Sequence, residues 1–411
     1  MRTTVSAAKE AAWDAIVVGA GMGGAAAAFG LASRGLKVLV IERGLDRHTA
    51  TARVEDSPED SALRLQLGRW PTRVGGRVDG QSFEFHAPLG SGAGGSTLLY
   101  AAALDRFRAS DFVPRPHPDG GTVEWPIAVD AFKPWYAQAE TALSVAGTAD
   151  PLDAEAETSH LDAPHDLSPR DADLIRRFRS AGLHPYRLHS GFHHVPACAP
   201  CLGTLCMKNC KRHAGNSFLT PAYATGNLAI LSEADVLGFD ATATRVRAVT
   251  LRIAGETHRL EAPTFVLAAG ALFSPALLLK SANAAWPAGL GNREGQVGRH
   301  LMFHTSRSLA LWSTRAHPHH GSGKSLVVRD FYDTPDGKFG ELQSVGLEAN
   351  TGYVLYALRQ MLASSRFARV PLLRQLARLP ARAASIALGN AVIFDLLMED
   401  LPYAHNRVVL D

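Results

Sequence analysis

The feature that most constrains the fold of this chain is a glycine pattern close to its start. Gly19, Gly21 and Gly24 follow an apolar run at 15–18 and precede a stretch of small residues at 25–32. A second apolar run, 38–41, ends at Glu42. An apolar run, a helix-forming stretch and another apolar run predict a βαβ unit of about thirty residues in a parallel sheet.

Each part of this unit suits the binding of a dinucleotide. Gly19 makes the tight turn, Gly21 lets the backbone approach a pyrophosphate, and Gly24 lets the helix pack closely on the strand. The N-terminus of the helix offers free N–H groups to the phosphates. Glu42, followed by Arg43, can accept the ribose hydroxyls of an adenosine and would repel a 2′-phosphate. The unit alone leaves both NAD and FAD open.

Two further glycine-containing segments follow downstream. Between 88 and 100 the chain carries a loop of small residues, whose backbone amides can approach a ligand, although the pattern is also typical of a surface turn. The segment 264–281 predicts a buried strand, a turn at Ala269 and Gly270, and a helix with Ser274 as its N-cap and Pro275 in first position. The candidate ligand-binding residues of the first loop are Gly92, Gly94, Gly95 and Ser96.

The order of these segments resembles that of the glucose–methanol–choline (GMC) family of FAD oxidoreductases, from about residue 14 to the end of the chain. The resemblance implies that the βαβ unit holds the ADP half of FAD and that the second glycine loop lies along the flavin. It also implies that Val236 contacts the adenine side and that FAD is dissociable. The implied reaction is oxidation of an alcohol by hydride transfer to flavin N5.

Members of that family end in a segment with His-x-x-Gly-Thr, whose histidine contributes the catalytic base. The 411 residues contain no such segment, so the catalytic residues are unknown. The sequence therefore also fits an incomplete FAD-binding subunit, or an electron-transfer or partner-binding flavoprotein, that needs a second chain for catalysis. An NAD-dependent dehydrogenase is a weaker alternative, because it would leave the 88–100 and 264–281 segments without a role.

All four cysteines lie between Cys198 and Cys210, with the spacing C-x2-C-x4-C-x3-C. Thiolates so close together can converge on an iron–sulfur cluster, on structural zinc or into a redox disulfide, or they can be simple thiols. Cys201, Cys206 and Cys210 resemble the three-cysteine element of bacterial FAD glucose dehydrogenases, a branch of the same family. That resemblance implies an iron–sulfur cluster that passes electrons to an external acceptor, and leaves Cys198 outside the ligand set.

Composition adds weaker constraints. The net charge of +3 gives no reason to propose nucleic acid as a partner. Residues 1–13 do not resemble a signal peptide, and no long charge-free apolar stretch predicts a transmembrane helix, so we expect a cytoplasmic protein.

From 352 to 388 there is no acidic residue, and this basic insert predicts two or three short amphipathic helices with breaks at Pro371 and Pro380. The insert either caps the substrate domain or touches an anionic membrane surface; its arginines are Arg359, Arg366, Arg369, Arg374, Arg378 and Arg382.

Taken together, the sequence predicts an α/β protein. A Rossmann-like, doubly wound FAD-binding domain, 1–130 and 215–305, is interleaved with an α+β substrate domain, 131–214 and 306–411. The predicted partners are a small-molecule alcohol or sugar and an electron-acceptor protein or quinone, with a second subunit in the alternative.

Overall fold

The computed structural model describes residues 2–48, 60–153, 155, 157–195, 198, 201–312, 324–335, 337–346, 351–363, 370–388 and 391–411. The α-helices in these ranges are α1 (Val5–Glu10), α2 (Met22–Ala32), α3 (Ser61–Gln66), α4 (Lys133–Leu143), α5 (Pro169–Ser180), α6 (Thr220–Ala224), α7 (Gly270–Lys280), α8 (Thr351–Ala363), α9 (Pro371–Leu376) and α10 (Arg378–Leu388). The strands are β1 (Ala15–Val18), β2 (Val38–Ile41), β3 (Val74–Val78), β4 (Gln81–Phe85), β5 (Arg115–Pro116), β6 (Thr122–Val123), β7 (Tyr186–Arg187), β8 (Leu228–Leu231), β9 (Asp235–Ala241), β10 (Val246–Ile253), β11 (Glu256–Glu261), β12 (Thr264–Leu267), β13 (Thr305–Trp312), β14 (Leu326–Val328), β15 (Asp333–Thr334), β16 (Gly337–Lys338), β17 (Glu341–Ser344) and β18 (Ala391–Met398).

A four-stranded parallel sheet in the order β12-β1-β2-β8 forms the centre of the N-terminal half. Ala15 pairs with Val38 on one side and with Thr264 on the other. The predicted βαβ unit and the α/β fold class are therefore confirmed. β1 and β2 are buried on both faces, which is why their sequences are uninterrupted apolar runs rather than alternating ones.

Two apolar cores lie on the two faces of this sheet. Val17, Val38 and Val40 point toward α2 and α6, where small side chains allow close packing. Ile16 and Leu39 point to the opposite face, against the three-stranded antiparallel sheet β11-β10-β9. Burial on both faces holds the carboxyl ends of the strands in fixed positions, and the candidate site is built there.

A second large sheet has the order β13-β18-β17-β14-β7 and is antiparallel. The four parallel strands fall within 1–130 and 215–305, whereas most of this second sheet is formed by residues from 131–214 and 306–411. The division of the chain into two domains at these boundaries stays a prediction. Among the described residues, no helix combines the length and the apolar character needed to cross a membrane.

Two helix boundaries differ from the sequence-based prediction. Helix α7 begins at Gly270 with Ala269 as its N-cap, so Ser274 is not the cap and Pro275 lies inside the helix. The reason is that Gly270, with φ +82°, reverses the chain and starts the helix in one step, which leaves no separate turn. The sequence also predicted a helix break at Pro380. Instead, Pro380 lies in the first turn of α10, where the missing N–H of proline costs little.

Candidate cofactor site

The three glycine-containing segments meet at the carboxyl ends of β1, β2 and β12. The amide of Gly94 donates to the carbonyl oxygen of Ala20 at 3.0 Å, and the amide of Ala268 donates to that of Val18 at 2.8 Å. A Cβ placed on Gly95 would lie 2.7 Å from the Cα of Gly21. The first and second glycine loops are therefore in direct backbone contact, at the edge of the sheet where open α/β folds bind their ligands.

Among the described residues, no side chain caps the N-terminus of α2. Gly21 occupies the N-cap position without a side-chain hydrogen bond, and a Cβ on Gly23 would meet no atom within 4 Å. By contrast, a Cβ on Gly24 would overlap the carbonyl oxygen of Gly19. The glycines thus bring the helix against the turn while leaving its first N–H groups free for an anion such as a pyrophosphate. Beside them, Gly270 at the start of α7 also faces open space.

Glu42 joins the two glycine loops to the end of β2. Its buried carboxylate accepts hydrogen bonds from the backbone amides of Ala20 at 2.9 Å, Gly44 at 2.8 Å and Gly92 at 3.0 Å. Burial raises the pKa of Glu42 above its usual range, and the amide hydrogen bonds oppose that shift. The sequence suggested a ribose ligand for this carboxylate, and that role stays a prediction. The loop-joining role was missed because Gly92 is distant in sequence.

Arg43 and Val236 lie at the neighbouring edge of the site. The Arg43 guanidinium lies 4.2 Å from the ring centre of Trp70, and its Nε is 3.6 Å from Asp235, the residue before Val236. Trp70 in turn stacks on Phe273 with ring centres 3.9 Å apart. This aromatic pair joins residues about two hundred positions apart, so no local sequence signal could have revealed it.

The second glycine loop is held in shape by its own hydroxyl groups. Ser96 Oγ accepts from the amide of Gly90 at 3.1 Å, and Thr97 Oγ1 accepts from the amide of Ala214 at 2.9 Å. His213 packs on the loop, since a Cβ on Gly94 would lie 3.2 Å from its Nδ1. Burial lowers the pKa of His213 to about 4, with Lys211 adding to the shift.

This shift predicts a loss of stability in mild acid. Below pH 6.5 an unfolded His213 gains a proton that the folded state binds only near pH 4, so the free energy of unfolding should fall as the pH drops between those values. A His213→Gln variant should lose less stability over this interval in urea unfolding series at several pH values. Equal pH profiles for the two proteins would contradict the prediction.

The cysteines converge beside the same loop. The Sγ atoms of Cys198 and Cys210 are 3.1 Å apart, and those of Cys206 and Cys210 are 3.4 Å apart. A hydrogen bond from Cys201 is the main reason why the pKa of Cys206 lies well below its usual range. Among the described residues, no three Cys, His, Asp or Glu side chains form a ready-made site for a single metal ion. The structure therefore brings all four cysteines together, Cys198 included, as thiols in contact.

Lys211 fixes this cysteine loop in place. It is 0% exposed, and its Nζ donates to the carbonyl oxygens of Tyr100 at 3.3 Å, Cys201 at 3.1 Å and Thr204 at 3.1 Å. The Tyr100 hydroxyl donates to the carbonyl oxygen of Arg212 at 2.6 Å. The cysteine loop and the chain that follows the second glycine loop are thus tied together by a buried cation.

A small pocket opens between this loop and the second sheet. It is lined by Cys201 and Ala101 on one side and by Lys324 and Val345 on the other. Lys324 is buried, and its Nζ donates to Oε1 of Gln343 at 2.8 Å. Burial lowers the pKa of Lys324, and the nearby carboxylates oppose the shift. No sequence pattern pointed to this lysine, since it lies far from every glycine motif.

Comparison with known proteins agrees with this arrangement. The family model for GMC oxidoreductases matches residues 13–306. The chain is 31% identical over 355 residues to the 6'''-hydroxyparomomycin C oxidase of Streptomyces lividus, which covers 80% of this chain and 63% of that protein. It is 24% identical to the fructose dehydrogenase large subunit of Gluconobacter japonicus, over 79% of this chain and 64% of that protein.

Among solved structures, pyridoxine 4-oxidase from Mesorbium loti superposes with a TM-score of 0.56 at 18% identity, covering 96% of this chain and 76% of that chain. At this low identity, the structural likeness shows that the two chains share a fold. The chain spans less than two thirds of the length of the curated relatives named above. With the family model matching most of its length, and with the glycine loops, β1, β2 and β12 in the arrangement described, the chain belongs to the GMC oxidoreductase family.

Proposed function

We propose that this chain binds FAD and takes part in the oxidation of an alcohol or sugar at a CH–OH group. The observation that carries the proposal is the meeting of three glycine-containing segments around the uncapped N-terminus of α2. The contact between Gly21 and Gly95 and the open space at Gly23 make a cradle without side chains, which fits the pyrophosphate that joins the adenosine and riboflavin halves of FAD. Residues of this chain therefore fit FAD on geometric grounds.

In this proposal the residues divide the cofactor between them. The amides at the start of α2 hold the phosphates and the Gly92–Ser96 segment lies against the cofactor, while Arg43 and Val236 lie on the adenine side. Ala269 and Gly270 line the opposite end of the cradle. When bound, FAD supplies the hydride acceptor of the reaction.

The pocket lined by Ala101, Cys201 and Lys324 has a volume of about 10 Å³, enough for one hydroxyl group, and we propose that it holds the reacting hydroxyl of the substrate. An ammonium group has three N–H donors, and Gln343 takes one of those of Lys324. In this proposal its other donors hold a substrate oxygen and keep the CH–OH group in place. The names of the relatives, which mention 6'''-hydroxyparomomycin C and fructose, support a substrate with several hydroxyl groups.

Turnover by the FAD-loaded chain tests this proposal. Purified protein would be mixed with a panel of sugars, polyols and simple alcohols, and reduction of a dye acceptor would be compared with oxygen consumption. We expect dye reduction that depends on the alcohol. Bound FAD without turnover of any alcohol would favour the alternative, an FAD-binding subunit that needs a second chain. Absence of bound FAD would overturn both.

We propose further that Cys201, Cys206 and Cys210 bind an iron–sulfur cluster that passes electrons to an external acceptor protein or quinone. The soft thiol donors, their short spacing and the buried Lys211 beside them support this assignment. In the present arrangement the sulfurs are in contact, so a cluster would enter only as the loop opens. The relative named as a large subunit supports an acceptor or partner in a separate chain.

Iron analysis of cysteine variants tests the cluster. Anaerobically purified protein should contain iron and acid-labile sulfide together with a broad absorption in addition to the flavin bands. Cys206→Ser should lose most of the iron, while Cys198→Ser, outside the proposed ligand set, should retain it. Iron-free wild-type protein, or equal iron loss in both variants, would contradict the assignment.

A further inference from the structure

The basic insert between β17 and β18 has an unusual distribution of side chains. In α10 and just before it, the small residues Ala377 and Ala381 are buried, and Ala381 is 0% exposed. The large apolar residues Leu379 and Ile386 are 71% and 72% exposed. Packing within a globular protein favours the opposite arrangement, because burial of a leucine or isoleucine stabilises far more than burial of an alanine.

Further large apolar residues are exposed on the elements that contact α10. Leu372 on α9 is 60% exposed, Met361 on α8 is 69% exposed, and Trp312 at the end of β13 is 58% exposed. The indole N–H of Trp312 donates to the carbonyl oxygen of Ala387 at 2.8 Å, so this strand end is joined to the insert. Exposed apolar residues on several adjacent elements form a patch, and patches of this kind mark interaction surfaces.

The charge of the insert identifies the kind of partner. Residues 352–388 contain no aspartate or glutamate. Arg378 and Arg382 are exposed and lie one turn apart on α10, with Leu379 beside them and Ile386 one turn further on. Arg366 and Arg369 lie outside the described residues. Apolar side chains flanked by arginine, without acidic residues, match the interface of an anionic bilayer, where apolar groups enter the acyl boundary and guanidinium groups meet phosphate.

We propose that α8–α10 form a docking surface for an anionic lipid bilayer, on which the protein lies without crossing it. This inference is independent of the proposed function, since it depends on no residue of the cofactor site. Leu372, Leu379 and Ile386 enter the interface, and Arg378 and Arg382 contact lipid phosphates. Trp312, an amphipathic aromatic side chain, lies at the level of the headgroups.

Sedimentation of the full chain with vesicles tests the proposal. We expect binding to phosphatidylcholine vesicles that contain phosphatidylserine, weak binding to pure phosphatidylcholine, and release by salt. Arg378→Gln with Arg382→Gln should weaken binding roughly thirtyfold, on the basis of about 1 kcal/mol for each arginine near an anionic surface. Leu379→Ser with Ile386→Ser should weaken it by roughly tenfold or more.

Matched controls lie elsewhere on the surface. Arg245→Gln, on the hairpin between β9 and β10, and Leu309→Ser, on β13, change exposed residues of the same types outside the insert and should bind like wild type. Circular dichroism of each variant checks that the fold is intact. Failure of wild type to bind either vesicle, equal binding to both vesicles, or concentration-dependent dimerisation through the insert without lipid binding would each overturn the proposal.

Discussion

Gly24→Ala should destabilise the chain by roughly 3 kcal/mol, among the largest losses that adding one methyl group can cause. The new Cβ would overlap the carbonyl oxygen of Gly19 and lie 3.2 Å from the Cβ of Ala268. The first of these is a backbone atom in the turn between β1 and α2, so it cannot rotate away. The helix would have to move off the sheet and carry its free N–H groups with it. Urea unfolding followed by circular dichroism measures the loss.

Gly23→Ala is the matched control for this variant. It adds the same methyl group to the preceding residue of the same helix, where no atom lies within 4 Å. Because alanine favours a helix by up to about 1 kcal/mol over glycine, we expect unchanged or slightly higher stability. Equal destabilisation by the two variants would mean that α2 is not packed on the turn as described.

Lys211→Met should lower the free energy of unfolding about as much as Gly24→Ala does, because it removes buried hydrogen bonds from a charged group. The ammonium group is completely buried and satisfies the carbonyl oxygens of Tyr100, Cys201 and Thr204. Methionine fills a similar volume but donates no hydrogen bond, so three buried carbonyl groups lose their partner. We expect a loss of about 3 kcal/mol in the free energy of unfolding. The cysteine thiols should also react faster with a thiol reagent, since the loop is no longer tied to Tyr100.

The control is Lys208→Met, which removes an exposed lysine from the same loop. Its stability should stay within about 1 kcal/mol of wild type, because the contacts of an exposed lysine contribute little, and its thiol reactivity should change far less than that of Lys211→Met. If Lys211→Met behaved like this control in both measurements, Lys211 would not hold the loop.

Sequence patterns predicted those parts of the structure that depend on neighbouring residues. The βαβ unit could be read from apolar runs and glycine spacing, because strand, turn and helix signals are local. The start of α7 was misplaced because Gly270 can act both as a turn residue and as a helix start, and sequence does not distinguish these conformations. The Ser-Pro pair at 274–275 resembled a cap although it lies within the helix.

Tertiary relations were beyond sequence reasoning. Lys211 directly follows Cys210 in the sequence, but its complete burial and its hydrogen bond to Tyr100 depend on a contact across more than a hundred residues. The same holds for the hydrogen bond from the Gly92 amide to Glu42, which shows that this carboxylate joins two loops and leaves its role as a ribose ligand a prediction. In each case the residue type suggested a role, but the sequence did not predict which distant residue it contacts.

The most direct test of the central claim is a titration of the chain with FAD, followed by quenching of flavin fluorescence, for wild type and Gly21→Ala. A Cβ at Gly21 lies 4.0 Å from the nearest atom, the Cα of Gly95, so the variant should fold normally while its methyl group occupies space needed by the pyrophosphate. We expect saturable binding of one FAD per wild-type chain and strongly weakened binding by the variant. Folded wild-type protein that binds no FAD, or a variant that binds it equally well, would contradict it.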